Sequence, residues 1–130
     1  MENLILASQW GKSFCNMNSY IPDRGDIVWI NMNPQAGHEQ AGRRPAIVLS
    51  PFGYNKKVGL ALFCPITNQI KGYPFEVGIP EGMKVTGVIL SDQVKSLDWR
   101  VRQVEFLEKI HEPVIVEALK KLNTLLRIAL

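Results

Sequence analysis

The sequence predicts a mainly β (α+β) domain: a compact, strongly bent sheet or small barrel of five to seven short strands, followed by a C-terminal amphipathic helix. Three observations predict it. Short apolar runs rich in β-branched residues recur between Gly and Pro turns from Ile27 to Phe106. After Pro113 the apolar period changes from strand-like to helical. The 130 residues, 46% of them hydrophobic, are enough for one domain with a real core and too apolar for a disordered chain.

Taken in order, Pro22-Asp23-Arg24-Gly25-Asp26 is a turn signal, because Pro presets φ and Gly accepts positive φ. It leads into a strand from Ile27 to Met32. Asn31 to Arg44 holds little that could be buried and reads as a long loop. Ala46–Leu49 is the second strand, closed by Ser50-Pro51. Phe52–Gly59 is a polar excursion, and Leu60–Ile66 the third strand. Phe75–Ile79 is short and extended between the turns Lys71–Pro74 and Pro80–Gly82. Val85–Leu90 is the fifth strand, with Gly87 marking a bulge or a close backbone approach. Ser91–Trp99 suits one helical turn, and Arg100–Phe106 a half-exposed strand built on Val101 and Val104. In the final helix Val114, Ile115, Ala118, Leu119, Leu122, Leu125, Leu126 and Ala129 share one face, opposite Glu117, Lys120, Lys121 and Arg127.

Residues 1–19 read as an N-terminal extension, either an accessory segment or the product of an upstream start, to a domain spanning 20–130. Leu4, Ile5, Leu6, Trp10 and Phe14 are its apolar anchors, and Met17 stands just before the patterned region. The first residues place an acid where a signal peptide wants positive charge, and no apolar run reaches bilayer length. Cys15 and Cys64 match neither a metal spacing nor a disulfide framework. A reducing cytoplasm with idle thiols is the expectation. Fifteen basic residues against 12 acidic, a net charge of +3, permit an anionic partner without demanding one.

The chemistry-bearing residues fall in three places. His38, Glu39, Arg43 and Arg44 share the long loop. Imidazole and carboxylate can move protons near neutral pH, and guanidinium forks match phosphate oxygens. The plainer reading is a solvated loop with a surface ion pair. Arg44-Pro45 is the better fixed, lying where the loop enters a strand, and charge stabilisation is its natural role. Thr67-Asn68-Gln69 follows an apolar strand and would sit at a rim of the sheet, as function or as a polar strand-end turn. Asp92–Ser96 offers a carboxylate, an amide, a cation and a hydroxyl, as a site or as a solvated surface. Trp29, Trp99 and Tyr73 could stack on bases or simply pack, and His111 suits a capping role. Neither a P-loop nor a dinucleotide fingerprint occurs. No His, Cys and carboxylate set has metal-ligand spacing, so a nuclease built on this chain would work without a metal or other cofactor.

Read together, Pro22–Trp29, Glu39–Pro51, Lys71–Val77 and Ser91–Ser96 resemble the MazF/PemK family of toxin endoribonucleases, in the same order along the chain. The resemblance implies an SH3-like barrel with a C-terminal helix, acting as a homodimer in the cytoplasm. It implies sequence-specific, metal-independent cleavage of single-stranded RNA, leaving a 2′,3′-cyclic phosphate and a 5′-hydroxyl, and neutralisation by an acidic antitoxin. It makes Arg44 and Thr67 the catalytic pair, with Glu39, His38 and Ser50 supporting or positioning. Arg43, Gln69, Gln93 and Lys95 become RNA contacts. The same fold serves toxins that poison DNA gyrase without catalysis, and a silent interaction module is the third possibility.

Overall fold

The computed structural model describes residues 20–32 and 42–128. Seven antiparallel strands and two helices follow in the order β1 (Asp26–Asn31), β2 (Arg43–Val48), α1 (Phe52–Val58), β3 (Leu60–Thr67), β4 (Glu76–Gly78), β5 (Val88–Leu90), β6 (Lys95–Asp98), β7 (Glu105–Lys109) and α2 (Glu112–Leu126). The sheet order is β4-β5-β3-β2-β1-β7, with β6 also on β3. Strands β5 and β6 pair with successive stretches of β3. Thr67 faces Val88 and Phe63 faces Lys95, so four steps along β3 answer to seven along its partner. The three-residue surplus is taken up between Leu90 and Lys95, where the Gln93 amide donates to the Leu90 carbonyl at 3.1 Å.

Strand alternation gives the sheet two buried faces. Ile27, Ile47, Leu49, Cys64, Ile66 and Ile89 pack on one face with Ile115, Ala118 and Leu122 of α2. Val28, Ile30, Ala46, Val48, Ala61 and Phe63 pack on the other under Trp99, Tyr20, Leu97 and Val104. Among the described residues no ladder joins β4 to β7, so the expected barrel holds in outline, without a closed cylinder of hydrogen bonds. Glu108 of β7 helps span the gap, its Oε2 accepting the Lys84 and Val85 amides at 2.7 and 3.2 Å. Lys121 of α2 donates to the Pro74 and Glu76 carbonyls, fixing the helix over β4.

Four expectations need correction. Phe52–Gly59 is no excursion: residues 52–58 form α1, which buries only Asn55 and therefore has no apolar stripe to betray it. Asn55 anchors it instead, donating to the Pro22 and Ser50 carbonyls and accepting from the Ser50 hydroxyl. Lys95–Asp98 is strand and not a helical turn, because pairing with Leu60–Phe63 outweighs local preference. The last strand is Glu105–Lys109; Arg100–Gln103 form a turn whose amides at Arg100 and Val101 are bound by Asp98 Oδ1. Strand β2 begins at Arg43, three residues before the expected Ala46, which places Arg43 and Arg44 on a ladder with Asn31 and Ile30. The apolar anchors at Leu4, Ile5, Leu6, Trp10 and Phe14, Cys15 and Met17, and Ala129 lie outside the described residues.

Candidate active site

Consecutive residues of a strand point to opposite faces, and this separates the two arginines. Arg43 shares a face with Trp29 and Pro45. Its guanidinium meets Glu105 Oε1 at 2.8 Å and the Gln103 carbonyl at 3.2 Å, and its side chain is 19% exposed. Arg44 lies on the other face, opposite Ile30, and is exposed. Among the described residues it makes no hydrogen bond and no ion pair.

Thr67 comes to Arg44 through β3. Ala46 is paired with Pro65, and the same register extended two residues further would bring Arg44 opposite Thr67. Directly opposed residues on one sheet face stand roughly 5 Å apart at Cβ. The recorded ladder ends at Ala46 and Pro65, beyond which Ile66 and Thr67 pair with β5. Pro45 and Pro65 have no N–H to give, which suits them to the point where β2 and β3 part. The half-buried Thr67 Oγ1 accepts the Gln69 amide at 3.1 Å. Its proton has no acceptor among the described residues, so the hydroxyl keeps an unused donor.

Lys95 is exposed opposite Phe63, on the face that carries Thr67 four residues along β3, about 13 Å away at strand rise. Gln93 is exposed on the three-residue surplus between β5 and β6, and Gln69 is exposed just beyond Thr67. The structure therefore puts Arg44, Thr67 and Lys95 on one face and leaves Arg43 on the other. Ser50 is not brought to this rim. It is buried beyond the far end of β2, its hydroxyl donating to Asn55 Oδ1 at 2.6 Å and accepting the Leu62 amide at 2.8 Å. His38 and Glu39 lie outside the described residues.

Several residues that shape the rim carry no local sequence signal. Glu105 and Gln103 hold Arg43 from about sixty residues away. Arg102 Nη1 donates to the Met32 carbonyl at 2.8 Å, gripping β1 where the loop departs. Tyr73 O–H is hydrogen-bonded to Asp92 Oδ2, while Asp92 Oδ1 is buried and without a partner. That hydrogen bond raises the Tyr73 phenol, which stays protonated at neutral pH. Burial, reinforced by the Asp92 charge, pushes the Cys64 thiol up to about 12, so no thiolate is available there for nucleophilic chemistry. Among the described residues no three His, Cys, Asp or Glu side chains converge on a possible metal position. No helix of the described residues is long and apolar enough to cross a membrane.

A curled antiparallel sheet with a C-terminal helix, carrying an exposed guanidinium and a threonine hydroxyl on one face, defines a small barrel-like β domain. The family model described as PemK-like, MazF-like toxin of type II toxin–antitoxin systems matches residues 23–126, and the chain belongs to that family. It is 55% identical over 86 residues to the endoribonuclease toxin MazF of Escherichia coli K12, an overlap of 66% of this chain and 77% of that one. To the endoribonuclease PemK of Escherichia coli it is 33% identical over 108 residues, covering 80% of this chain and 81% of the relative. Among solved structures, MazF of Deinococcus radiodurans superposes with a TM-score of 0.76 at 53% identity, over 83% of this chain and 98% of that one. A MazE–MazF complex from the same organism gives 0.76 at 45% identity, over 85% and 100%.

Proposed function

We propose that this toxin is a sequence-specific endoribonuclease that cleaves single-stranded RNA without a metal. The observation that carries the reading is the exposed Arg44 guanidinium, without a partner among the described residues, on the sheet face that also carries Thr67. The 2′-hydroxyl attacks the adjacent phosphorus, losing its proton to a base. The P–O5′ bond breaks and the departing oxygen takes up a proton, leaving a 2′,3′-cyclic phosphate and a 5′-hydroxyl. Between these events the phosphorane carries extra negative charge, and a preformed cation and donor lower its energy more than they lower that of the ground state. Arg44 supplies the charge. A guanidinium holds its charge and yields a proton reluctantly, so neutralisation and not proton donation is its main part. Thr67 donates to a non-bridging oxygen. Glu39 or His38 is assigned to orienting or deprotonating the 2′-hydroxyl.

Gln69, Gln93 and Lys95 are assigned to the RNA strand; Arg43, on the opposite face, is assigned to it through its charge alone. The partners proposed are a second copy of the chain and an acidic antitoxin. The MazE–MazF assembly of the Deinococcus relative supports the latter, and an acidic tail would compete for the cations that hold RNA. Phosphate contacts release counterions, so cleavage at low RNA concentration should fall steeply between low and moderate salt; a salt-insensitive rate would count against this surface as the RNA path.

The deciding experiment incubates purified protein with a long single-stranded RNA in excess EDTA, with Arg44→Ala alongside and the fragment ends read chemically. Discrete fragments ending in cyclic phosphate, absent with Arg44→Ala, are expected. Intact RNA from folded protein would overturn the proposal and direct attention to gyrase poisoning.

A further inference from the structure

The Thr67 backbone is approached from one side more closely than any side chain permits. Gly87 has φ +112°, and a Cβ placed on it would stand 2.1 Å from the Thr67 carbonyl oxygen, 2.8 Å from that carbonyl carbon and 3.0 Å from Asn68 Oδ1. Gly72 and Gly82 also have positive φ, yet a Cβ on either would meet nothing within 4 Å. Those two glycines serve turns. Gly87 serves a contact, and its neighbour in that contact is Thr67, a residue of the candidate site.

The Gly87 side of the contact is held from behind, and a hydrogen bond couples it to the Thr67 side. The Gly87 carbonyl accepts the Ile79 amide at 2.9 Å. Val88, next in the chain, is paired with Thr67 on one side and with Gly78 on the other. The Thr86 hydroxyl donates to Asn68 Oδ1 at 2.8 Å, tying the residue after Thr67 to the residue before Gly87. With β4 pinning Gly87 from behind, a methyl group there displaces the Thr67–Asn68 peptide and not the glycine. The strain of a non-glycine residue at this φ adds to the push.

We propose that Gly87 is a positioning residue for the Thr67 hydroxyl: its missing side chain, together with the Thr86–Asn68 bond, sets where Thr67 stands relative to Arg44. The inference rests on the ribonuclease reading and deepens it. Gly87 acts through Thr67, so disturbing it changes the rate of the chemical step and leaves RNA capture by the cations intact.

The test is a set of double-mutant cycles. Gly87→Ala and Thr86→Val are each made in the native chain and in Thr67→Ala, and kcat and KM are measured on one defined RNA, with thermal unfolding as a check of folding. Thr67→Ala should lower kcat by about 100-fold, the loss typical of one oxyanion donor. Gly87→Ala should lower it by roughly 30- to 100-fold with KM within about twofold, the effect of a displacement near 1 Å. Thr86→Val, which adds no bulk, should lower it by about 3- to 10-fold on the same reasoning. In the Thr67→Ala background each second change should alter kcat by less than about twofold, because no hydroxyl remains to be misplaced.

Equal losses in both backgrounds, or losses confined to KM, would overturn the proposal and make Gly87 a scaffold glycine. If Gly87→Ala does not fold, the Thr86→Val cycle decides by the same criterion. Full activity in Thr67→Ala would overturn the role of Thr67 itself. Full activity in Gly87→Ala and Thr86→Val beside an impaired Thr67→Ala would overturn the positioning claim alone.

Discussion

Two polar regions of the molecule, at opposite ends of β2, differ in how completely their groups are used. Around Asn55 and Asp26 nearly everything is paired. Asn55 binds two carbonyls and a hydroxyl, and its own carbonyl accepts the Trp99 indole at 3.0 Å. Asp26 receives Tyr20, the Asp23 amide and Lys109. The Tyr20 phenol, buried and held by that carboxylate, is raised so far that it stays protonated through any working pH. At the Arg44 end, among the described residues, the guanidinium has no partner and the Thr67 hydroxyl has an unused proton. A buried polar group without a partner is expensive, so saturation marks architecture. Exposed groups held in register yet left unpaired cost little at rest and remain available to a ligand.

That contrast can be broken by substitution. The largest effect is expected from Arg44→Ala: a loss of about 1,000-fold in cleavage rate, with the unfolding temperature unmoved because no described partner is lost. A drop in stability comparable to that of a core variant would erase the distinction. Next comes Asn55→Ala, which strands two carbonyls and a hydroxyl in the interior and should cost about 2–4 kcal/mol of stability. Calorimetry should show the melting point falling by roughly 10 °C, while activity per folded molecule stays near the native value. Arg43→Ala tests an intermediate case. Its partner Glu105 has a 71% exposed side chain, so the pair should contribute no more than about 1 kcal/mol to stability. RNA affinity should weaken and the salt slope flatten, both measurable by titration with a non-cleavable 2′-deoxy strand.

The smallest effect concerns Asp23. Partial burial works to raise its carboxyl, but the Phe52 and Arg24 amides and Lys109 outweigh that and hold it below its ordinary value of 3.8. A depressed carboxyl contributes stability above its unfolded-state pKa and loses it as pH falls through the folded one. Chemical denaturation from pH 6 down to pH 2 should therefore show native stability declining below about pH 4, with a shallower decline in Asp23→Asn. An identical profile in the two proteins would remove Asp23 from the saturated network.

Much of this was legible beforehand, and the misses share a cause. Ile27–Met32, Leu60–Ile66 and the helix after Pro113 announce themselves because their burial follows a local period. Gly87 was legible as a bulge or close approach, since a glycine in an apolar strand has few other uses. Helix α1 was not, because its one buried residue is an asparagine, and no hydropathy pattern marks a polar anchor. Strand β6 and the onset of β7 were missed for a related reason: their pairing with β3 and β1 is decided by residues tens of positions away. At the site, Arg44 and Thr67 could be named from the ordered motif, but the opposite-face fate of Arg43 depends on where β2 begins. Ser50 was named a supporting residue through the resemblance alone; only the fold reveals that Asn55 and Leu62 consume its hydroxyl.

The three residues by which the β5–β6 partner of β3 is too long have a consequence for how such a protein can diversify. Asp92, Gln93 and Val94 fall between two ladders and belong to neither. Val94 packs against the core and Asp92 holds Tyr73, whereas Gln93 between them is exposed. Change at Gln93 is therefore largely uncoupled from foldability, a single adjustable position held between two neighbours that the frame does feel.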